Sequence, residues 1–486
     1  MLAAVLAVPC GARGQTAAPT DPVAEASRLR DARDFAGSVE VLRSHLAGSP
    51  DDPAAVRMLA QTLYWMGDAG GAKAAYEDAL RRRPEDPWLR LEYGRMLVET
   101  GTPVRAREVL EPLRGGGPAA AAEALLATAA YWRGDLTAAA RGFRRALLLD
   151  PEQGEARRQL GEIRALAAPW ARVRGGYRRD DQPLERSALE VEAGWHLTPL
   201  RAVAVRVEPQ RSRAGAPADA LALEASLRDY WPALRTELDA AGGVFRRGAG
   251  LGGEWTGRLG LGVRLPRGAV LRGAAERAPY LWTAASLEEP VATNTVSAAL
   301  SWNDPKGWMG EAVYSLRSFP DDNRLGSGHA WLLAPLLRGG GARLSAGYAF
   351  GAQDAAESRF VARGRGVGGG SAAEGVYVPY YTPERVRSHS AVAALALPLG
   401  PGAGLDLDGS YGFHAREQAP VLPAAGGPVF VERRFTPWRA RGSLSAAPAP
   451  GVTLALEGER THTSFYTLTT LGAGATLRLL PRSARR

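Results

Sequence analysis

Prolines in the first third of the chain recur on a nearly fixed step: Pro50, Pro84, Pro118 and Pro151 lie 34, 34 and 33 residues apart. Few folds accept such a period. It is one helix-turn-helix per repeat, and a unit of that size buries its apolar face only by stacking on the next. Other positions keep the register. The second unit has Leu59-Ala60, Gly67, Ala72, Tyr76, Ala79 and Pro84. The third has Tyr93-Gly94, Gly101, Ala106, Leu110 and Pro118, and the fourth Ala127, Gly134, Ala139, Phe143, Ala146 and Pro151. Only the first unit matches weakly. Small residues such as Ala60, Ala72 and Gly94 let antiparallel helices approach closely, while Tyr76 and Phe143 fill the gap to the neighbouring hairpin. Residues Glu155 to Leu166 read as a closing helix before Pro169.

This spacing and these positions resemble tetratricopeptide repeats over residues 19–166. The resemblance implies a concave partner-binding face built by the first helix of each hairpin. Its expected members are Arg57, Gln61, Tyr64 and Trp65, then Arg95 and Glu99, then Thr128, Tyr131 and Trp132. Tyr64-Trp65-Met66-Gly67-Asp68 is echoed by Tyr131-Trp132-Arg133-Gly134-Asp135. Packing between helices would account for these aromatics equally well.

Beyond Trp170 the period changes to two, the signature of β-strands. Leu189, Val191, Ala193, Trp195 and Leu197 alternate with Glu190, Glu192, Gly194 and His196. Trp255, Leu259, Leu261, Val263 and Leu265 oppose Glu254, Thr256, Arg258 and Arg264; Leu405, Leu407, Tyr411 and Phe413 oppose Asp406, Asp408, Ser410 and Gly412. Similar segments begin near Val203, Leu221, Val296, Trp308, Leu344, Arg439 and Val452. The 58 glycines and 34 prolines also suit a β-rich second part better than an all-helical chain.

Alternation fits either a soluble sandwich or a membrane barrel with an aqueous lumen. Three features favour the barrel. The strands approach the length that a tilted membrane strand needs. Aromatics gather near strand ends, at Tyr230-Trp231, Tyr280 with Trp282, Trp308, Tyr380-Tyr381, Trp438 and Phe465-Tyr466, where interfacial girdles lie. Short turns such as Pro199-Leu200 alternate with longer loops such as Gly364 to Gly375. The expectation is therefore a tetratricopeptide α-solenoid followed by an antiparallel transmembrane β-barrel over 170–486. At about 20 residues per strand and turn, that stretch holds roughly 14–16 strands, with 16 favoured.

Residues 1–14 read as a signal peptide: Leu2 to Val8 is apolar and Ala12-Arg13-Gly14 has small-x-small spacing, although a cationic leader is missing and the natural start could lie upstream. Cys10, the one cysteine, falls in that segment, so the rest of the chain can form no disulfide. The net charge of +9 does not point to nucleic acid, because the arginines alternate with acidic residues along strands instead of gathering on one face.

Export signal, tetratricopeptide array and barrel, in that order, resemble the YaiO-type outer-membrane proteins and the outer-membrane subunits of exopolysaccharide secretion systems. Tyr377 to Arg385, with its aromatic-Thr-Pro stretch, and the Trp-x-Gly-Asp helix ends are similar to segments of such barrels. Gly472 to Leu479 resembles the final strand that barrel-assembly machinery recognises, without its terminal aromatic and with a tail, Leu480 to Arg486. The resemblance implies an outer-membrane location, a periplasmic array that captures a protein or polysaccharide, and a lumen lined by polar residues. Expected lumen residues are Glu190, Glu192, Arg206, Glu224, Arg228, Arg258, Arg264, Asp406 and Asp408. Simple solvation of a watery interior would also explain them. The competing expectation is a secreted or periplasmic soluble adaptor with a β-sandwich carbohydrate-binding domain.

No catalytic constellation emerges, and no cofactor is implied. His45, His196, His329, His389, His414 and His462 lack metal-ligand spacing. Neighbours on one strand point to opposite faces, so Ser388-His389-Ser390 cannot pair nucleophile with base. Gly366 to Gly370 lacks the lysine of a phosphate-binding loop.

Overall fold

Each helical hairpin is set by its turn chemistry. The computed structural model describes residues 21–182, 184–248, 252–362, 375–421 and 429–480. The expected signal segment, the 364–374 part of the glycine loop and the tail from 481 lie outside them. The chain divides into two units, Met1–Leu160 and Gly161–Arg486.

Helices run α1 (Pro22–Asp31), α2 (Phe35–Gly48), α3 (Pro53–Trp65), α4 (Ala69–Arg82), α5 (Pro87–Glu99), α6 (Pro103–Leu110), α7 (Ala119–Trp132), α8 (Leu136–Leu149) and α9 (Gly154–Leu166). The Gly-Asp pairs explain the echoed motif. Gly67 and Gly134 take φ of 86° and 80° just past α3 and α7. The aspartate that follows caps the next helix, Asp68 accepting from Gly71 N at 2.7 Å and Asp135 from Ala138 N at 3.0 Å. The first hairpin places Arg33 at this position with φ 64°, which is why its sequence matched poorly. The third also departs, since α6 stops early and a 3-10 turn, Glu111–Gly115, intervenes before Pro118 caps α7.

Close approach is enforced where the small residues sit. A Cβ on Gly94 would lie 2.3 Å from Leu110 Cδ2, and one on Gly142 2.7 Å from Ala127 Cβ. Tyr76 stacks on Tyr93 with centroids 5.4 Å apart, and Tyr93 donates its hydroxyl to Glu77 at 2.8 Å. Tyr76 and Phe143 are buried, as their gap-filling role requires.

In the second unit the strands are β1 (Trp170–Asp180), β2 (Glu185–Thr198), β3 (Arg201–Ala214), β4 (Ala216–Trp231), β5 (Thr236–Arg247), β6 (Gly253–Arg264) and β7 (Ala269–Pro279). A short helix, α10 (Ala285–Glu288), precedes β8 (Ala292–Asn303), β9 (Met309–Ser318), β10 (Arg324–Gly339) and β11 (Ala342–Ala355). A small hairpin, β12 (Phe360–Ala362) with β13 (Gly375–Tyr377), stands apart from the main sheet. The wall resumes with β14 (Val386–Gly400), β15 (Ala403–Val421), β16 (Val429–Phe435), β17 (Trp438–Ala449), β18 (Val452–His462) and β19 (Thr467–Arg478).

Every neighbouring pair in the wall is antiparallel, and β1 pairs with both β2 and β19, so the sheet closes on itself. Both β16 and β17 pair with β15, at successive stretches of it, and act as one interrupted strand. The wall therefore has 16 strands, the favoured number, and the expected sandwich is excluded by closure. Turns at one end are tight: residues 199–200, 340–341, 401–402 and 450–451 join their strands directly. Connections at the other end include residues 280–291, 319–323, 356–385 and 463–466.

Burial along the strands is inverted relative to a soluble protein. Val191 and Trp195 are 43% and 46% exposed, whereas the side chains of Glu190 and Glu192, on the other face of β2, are 20% and 18% exposed. Carboxylates turn inward and aliphatics outward. No helix of the described residues is long and apolar enough to cross a membrane.

Half of the expected aromatic girdle needs correction. Trp231 and Trp308 lie exposed at the tight-turn end, as expected. Tyr280, Trp282, Tyr381, Phe465 and Tyr466 belong instead to loops at the opposite end and line an interior cavity, and Tyr380, from the same end, is buried against Tyr280 and Phe319. Their sequence position near strand ends is the same in both cases; only the fold of the loops separates them.

Candidate functional site: the lumen, its plug and the repeat face

The luminal wall is a ladder of paired charges. Arg206 Nη1 lies 3.6 Å from Glu190 and 3.3 Å from Glu208, and its Nη2 3.0 Å from Glu224. Arg186 joins Glu208 at 3.4 Å. Arg172 approaches Glu192 at 3.5 Å, and the Trp170 indole N–H donates to the same carboxylate at 2.8 Å. Arg228 and Arg258 share Asp239, at 3.8 and 2.8 Å. Across the lumen Arg439 bridges Asp408 and Glu459, each at 3.3 Å, and Glu457 holds Arg174 and Arg441. Arg264 lies over the Tyr230 ring, 4.9 Å from its centroid. Asp406 sits opposite Ser443 on β17.

The expected residues thus fall into two groups, on β2–β6 and on β15, with most of them already neutralised by neighbours. The counter-ions Arg172, Arg174, Arg186, Glu208, Asp239, Arg439, Glu457 and Glu459 were not singled out by sequence reasoning. Arg172-Val173-Arg174 and Glu457-Gly458-Glu459 do show the alternation that would have found them.

Four long connections interlock inside the loop end. The Tyr380 ring stacks on Phe319 at 3.5 Å, nearly parallel, and its hydroxyl donates to Asp321 at 2.6 Å. Tyr280 meets both rings edge-on, at 5.9 and 6.2 Å. Tyr381 stacks on Phe465 at 4.4 Å, with Tyr377 edge-on to each. The 280–291 loop reaches across to β1, where the Arg178 guanidinium lies 3.8 Å from the centroid of Trp282 and donates to Leu281 O at 3.2 Å. Leu281 and Leu287 are buried with Leu184 and Phe245. Thr283 donates its hydroxyl to Pro379 O, tying the 280–291 loop to the 356–385 loop.

Two cavities lie against this plug. One of about 270 Å³ is lined by Arg186, Arg206, Glu208, Glu224, Arg258 and Trp282. The other, about 480 Å³, is lined by Trp282, Arg317, His329, Gln353, Tyr381 and Phe465. Aromatic faces beside charged and amide groups can take a ligand that is apolar on one face and hydroxylated at its edge. Among the described residues no cluster of His, Cys, Asp or Glu has the geometry to hold a metal ion. The Ser388 side chain faces the second cavity while His389 packs against Tyr348 and Phe350, so the two do lie on opposite faces.

In the repeat unit, Gln61 on α3 donates to Glu92 on α5 at 3.2 Å, and Thr128 on α7 contacts Gln159 on α9 at 3.2 Å. These are equivalent bridges between first helices. Burial pushes the Glu92 carboxyl up, opposed by Arg57 and Arg95 nearby. Burial, then Glu99, raises the Tyr64 phenol. Arg57, Gln61, Arg95 and the Tyr64–Glu99 pair therefore gather around Glu92 between α3 and α5, and Thr128 repeats the bridge with Gln159 between α7 and α9. Trp65 sits at the C-terminal end of α3, edge-on to Phe35 at 6.4 Å and under Arg30 at 5.0 Å, shared with the preceding hairpin. Trp132 ends α7 in the same way and is 56% exposed, with Tyr131 beside it.

Residues 66–129 match the family model of a tetratricopeptide repeat. No curated protein matches the chain. Among solved structures, a bacterial polysaccharide outer membrane secretin aligns at 10% identity and TM-score 0.48, over 64% of this chain and 99% of its own. CdiB from Acinetobacter baumannii aligns at 8% identity and TM-score 0.40, over 64% of this chain and 60% of its own. MamA from Desulfovibrio magneticus aligns at 23% identity and TM-score 0.27, over 30% of this chain and 85% of its own.

Proposed function

We propose that this chain is an outer-membrane conduit for an envelope polymer, an exopolysaccharide in the first instance, with its tetratricopeptide unit on the periplasmic side. The carrying observation is the inverted burial of a closed wall: aliphatic side chains outward, paired charges inward. Lipid matches the first face and a water-filled lumen the second. In such barrels the short turns are periplasmic. Strand β1 starts at that end, which supports a periplasmic repeat unit preceding it. The polar first-helix residues from Arg57 to Thr128 are the surface on which that unit would receive a protein partner or the polymer. Barrel-assembly machinery would insert the wall. The reading assigns no catalysis and no cofactor.

A sugar polymer suits this interior because pyranose rings present apolar faces to aromatic rings and hydroxyl edges to charged ladders. The test is a chromosomal deletion complemented with the intact chain. Restored surface polymer, recovery in the outer-membrane fraction and heat-modifiable gel migration are expected. Full solubility without detergent would end the membrane reading; unchanged polymer in the deletion strain would end the export reading alone.

A further inference from the structure

Three arginines stand side by side on the outer surface of the wall, in adjacent strands and with no insulating residue between them. Arg387 on β14 is paired in register with Arg416 on β15, and Arg416 with Arg434 on β16. Their outward direction follows from their neighbours. Val386 and Ser388 line the 480 Å³ interior cavity, so Arg387 between them faces out. Ala415 and Glu417 are 3% and 5% exposed, and Glu417 holds Arg433 and Ser464 inside. Arg416 and Arg434, next to these along their strands, are exposed on the other face.

Like charges directly opposite across a rung are destabilising. Compensation within the wall is incomplete: Glu432 reaches Arg416 at 3.6 Å, and the nearby Asp354 accepts from Arg385 N at 2.8 Å. Among the described residues no carboxylate forms an ion pair with Arg387 or Arg434. Two residues further along β14, about 7 Å toward the middle of the wall, His389 begins a cluster of outward rings. Its Nδ1 is 2.6 Å from Tyr348 Oη, its ring lies 5.2 Å from Phe350 and 6.5 Å from Phe413, and Phe413 and Tyr411 are 63% and 61% exposed. The guanidinium row therefore borders an aromatic patch on its loop-end side, the level at which a bilayer places its head groups.

We propose that Arg387, Arg416 and Arg434 bind the phosphate of a lipid head group in the leaflet surrounding the loop end. The inference rests on the membrane reading above but concerns a different surface from the lumen. Planar guanidiniums match phosphate oxygens in pairs. The row spans two strand spacings, about 10 Å, enough for one diphosphorylated head group or two single ones. Acyl chains below it would meet the rings and aliphatics of β11, β14 and β15.

The experiment uses the full chain in a zwitterionic detergent, titrated with diphosphorylated lipid A and read by native mass spectrometry. Dephosphorylated lipid A and inorganic phosphate as competitor form the other two arms. Wild type should retain the phosphorylated lipid. The triple variant R387Q/R416Q/R434Q should lose about fivefold in affinity for each guanidinium removed, and dephosphorylated lipid should bind both proteins weakly. Equal binding by variant and wild type, or equal binding of the two lipids, would overturn the proposal. So would displacement by inorganic phosphate at lipid-equivalent concentration, which would assign the site to the free anion. Heat-modifiable migration of each protein verifies the barrel; its absence in wild type would defeat the membrane reading instead. If the triple variant does not fold, R387Q/R434Q, which keeps the Arg416–Glu432 pair, decides by the same criteria.

Discussion

Replacing Tyr380 by alanine should unlock the loop end of the lumen. Its side chain is 1% exposed, stacks on Phe319 at 3.5 Å and donates to Asp321 at 2.6 Å. Truncating a buried large aromatic costs about 3–5 kcal/mol, and losing a hydrogen bond to a carboxylate accounts for about 1.5–3 kcal/mol when it alone is removed. If half of the alanine cost falls on docking of the 356–385 loop, about 2 kcal/mol, the closed-to-open ratio drops roughly 30-fold. Planar-bilayer recording reads this directly. Wild type should show rare openings, Tyr380→Phe, which keeps the stack, a modest increase, and Tyr380→Ala sustained conductance. Equal open probability in wild type and Tyr380→Ala, with folding of both verified by heat-modifiable migration, would refute the idea that this ring holds the plug. A Tyr380→Phe effect as large as that of alanine would place the hold in the Asp321 hydrogen bond and refute the ranking of the stack above it.

Other consequences follow from single contacts. Arg206→Ala leaves Glu190, Glu208 and Glu224 without their shared cation; reversal potentials in a salt gradient should move toward cation selectivity. Arg33→Gly relieves a left-handed backbone at φ 64° and should stabilise the helical unit by about 1 kcal/mol, read by thermal circular dichroism. Gly94→Leu drives atoms into Leu110, whose Cδ2 already lies 2.3 Å from an added Cβ, and should destabilise the same unit by at least about 2 kcal/mol. The His45 ring beside Asp52, at 2.8 Å, holds that carboxyl below its ordinary value of 3.8. A depressed folded pKa contributes stability above the unfolded value and loses it as pH falls through the folded one. Acid titration of Asp52→Asn should therefore show a smaller loss below that range than wild type.

How much of this was legible in the chain depends on what each residue must satisfy locally. A repeat announces itself because its constraints recur: Gly67 and Gly134 must take positive φ, Asp68 and Asp135 must cap, and Gly94 must leave room for Leu110. Arg33 shows the converse, a position whose constraint is met under strain and whose sequence hides it. Strands such as β2 and β6 were legible because one face is continuously apolar. Strand β5 was missed because its apolar face is Leu238, Ala240, Gly242 and Val244, interrupted by small residues. At Gly243 on the opposite face, an added Cβ would come within 2.1 Å of Leu223 O.

The plug was illegible for a different reason. Tyr280, Tyr380 and Phe465 come from loops far apart in sequence, and nothing local distinguishes an aromatic that meets lipid from one that folds inward on a partner a hundred residues away. Yet charge placement offered a clue in retrospect. Arg178 follows the alternation of β1 to the luminal face, and no carboxylate of the described residues forms an ion pair with it. It instead lies over Trp282. A luminal arginine that lacks an acidic partner on adjacent strands therefore asks for an aromatic from a loop. Arg264 over Tyr230 answers the same need within the wall itself. By the same logic, Arg387 and Arg434, on the outer face of the barrel and without a partner of either kind among the described residues, ask for one from outside the wall.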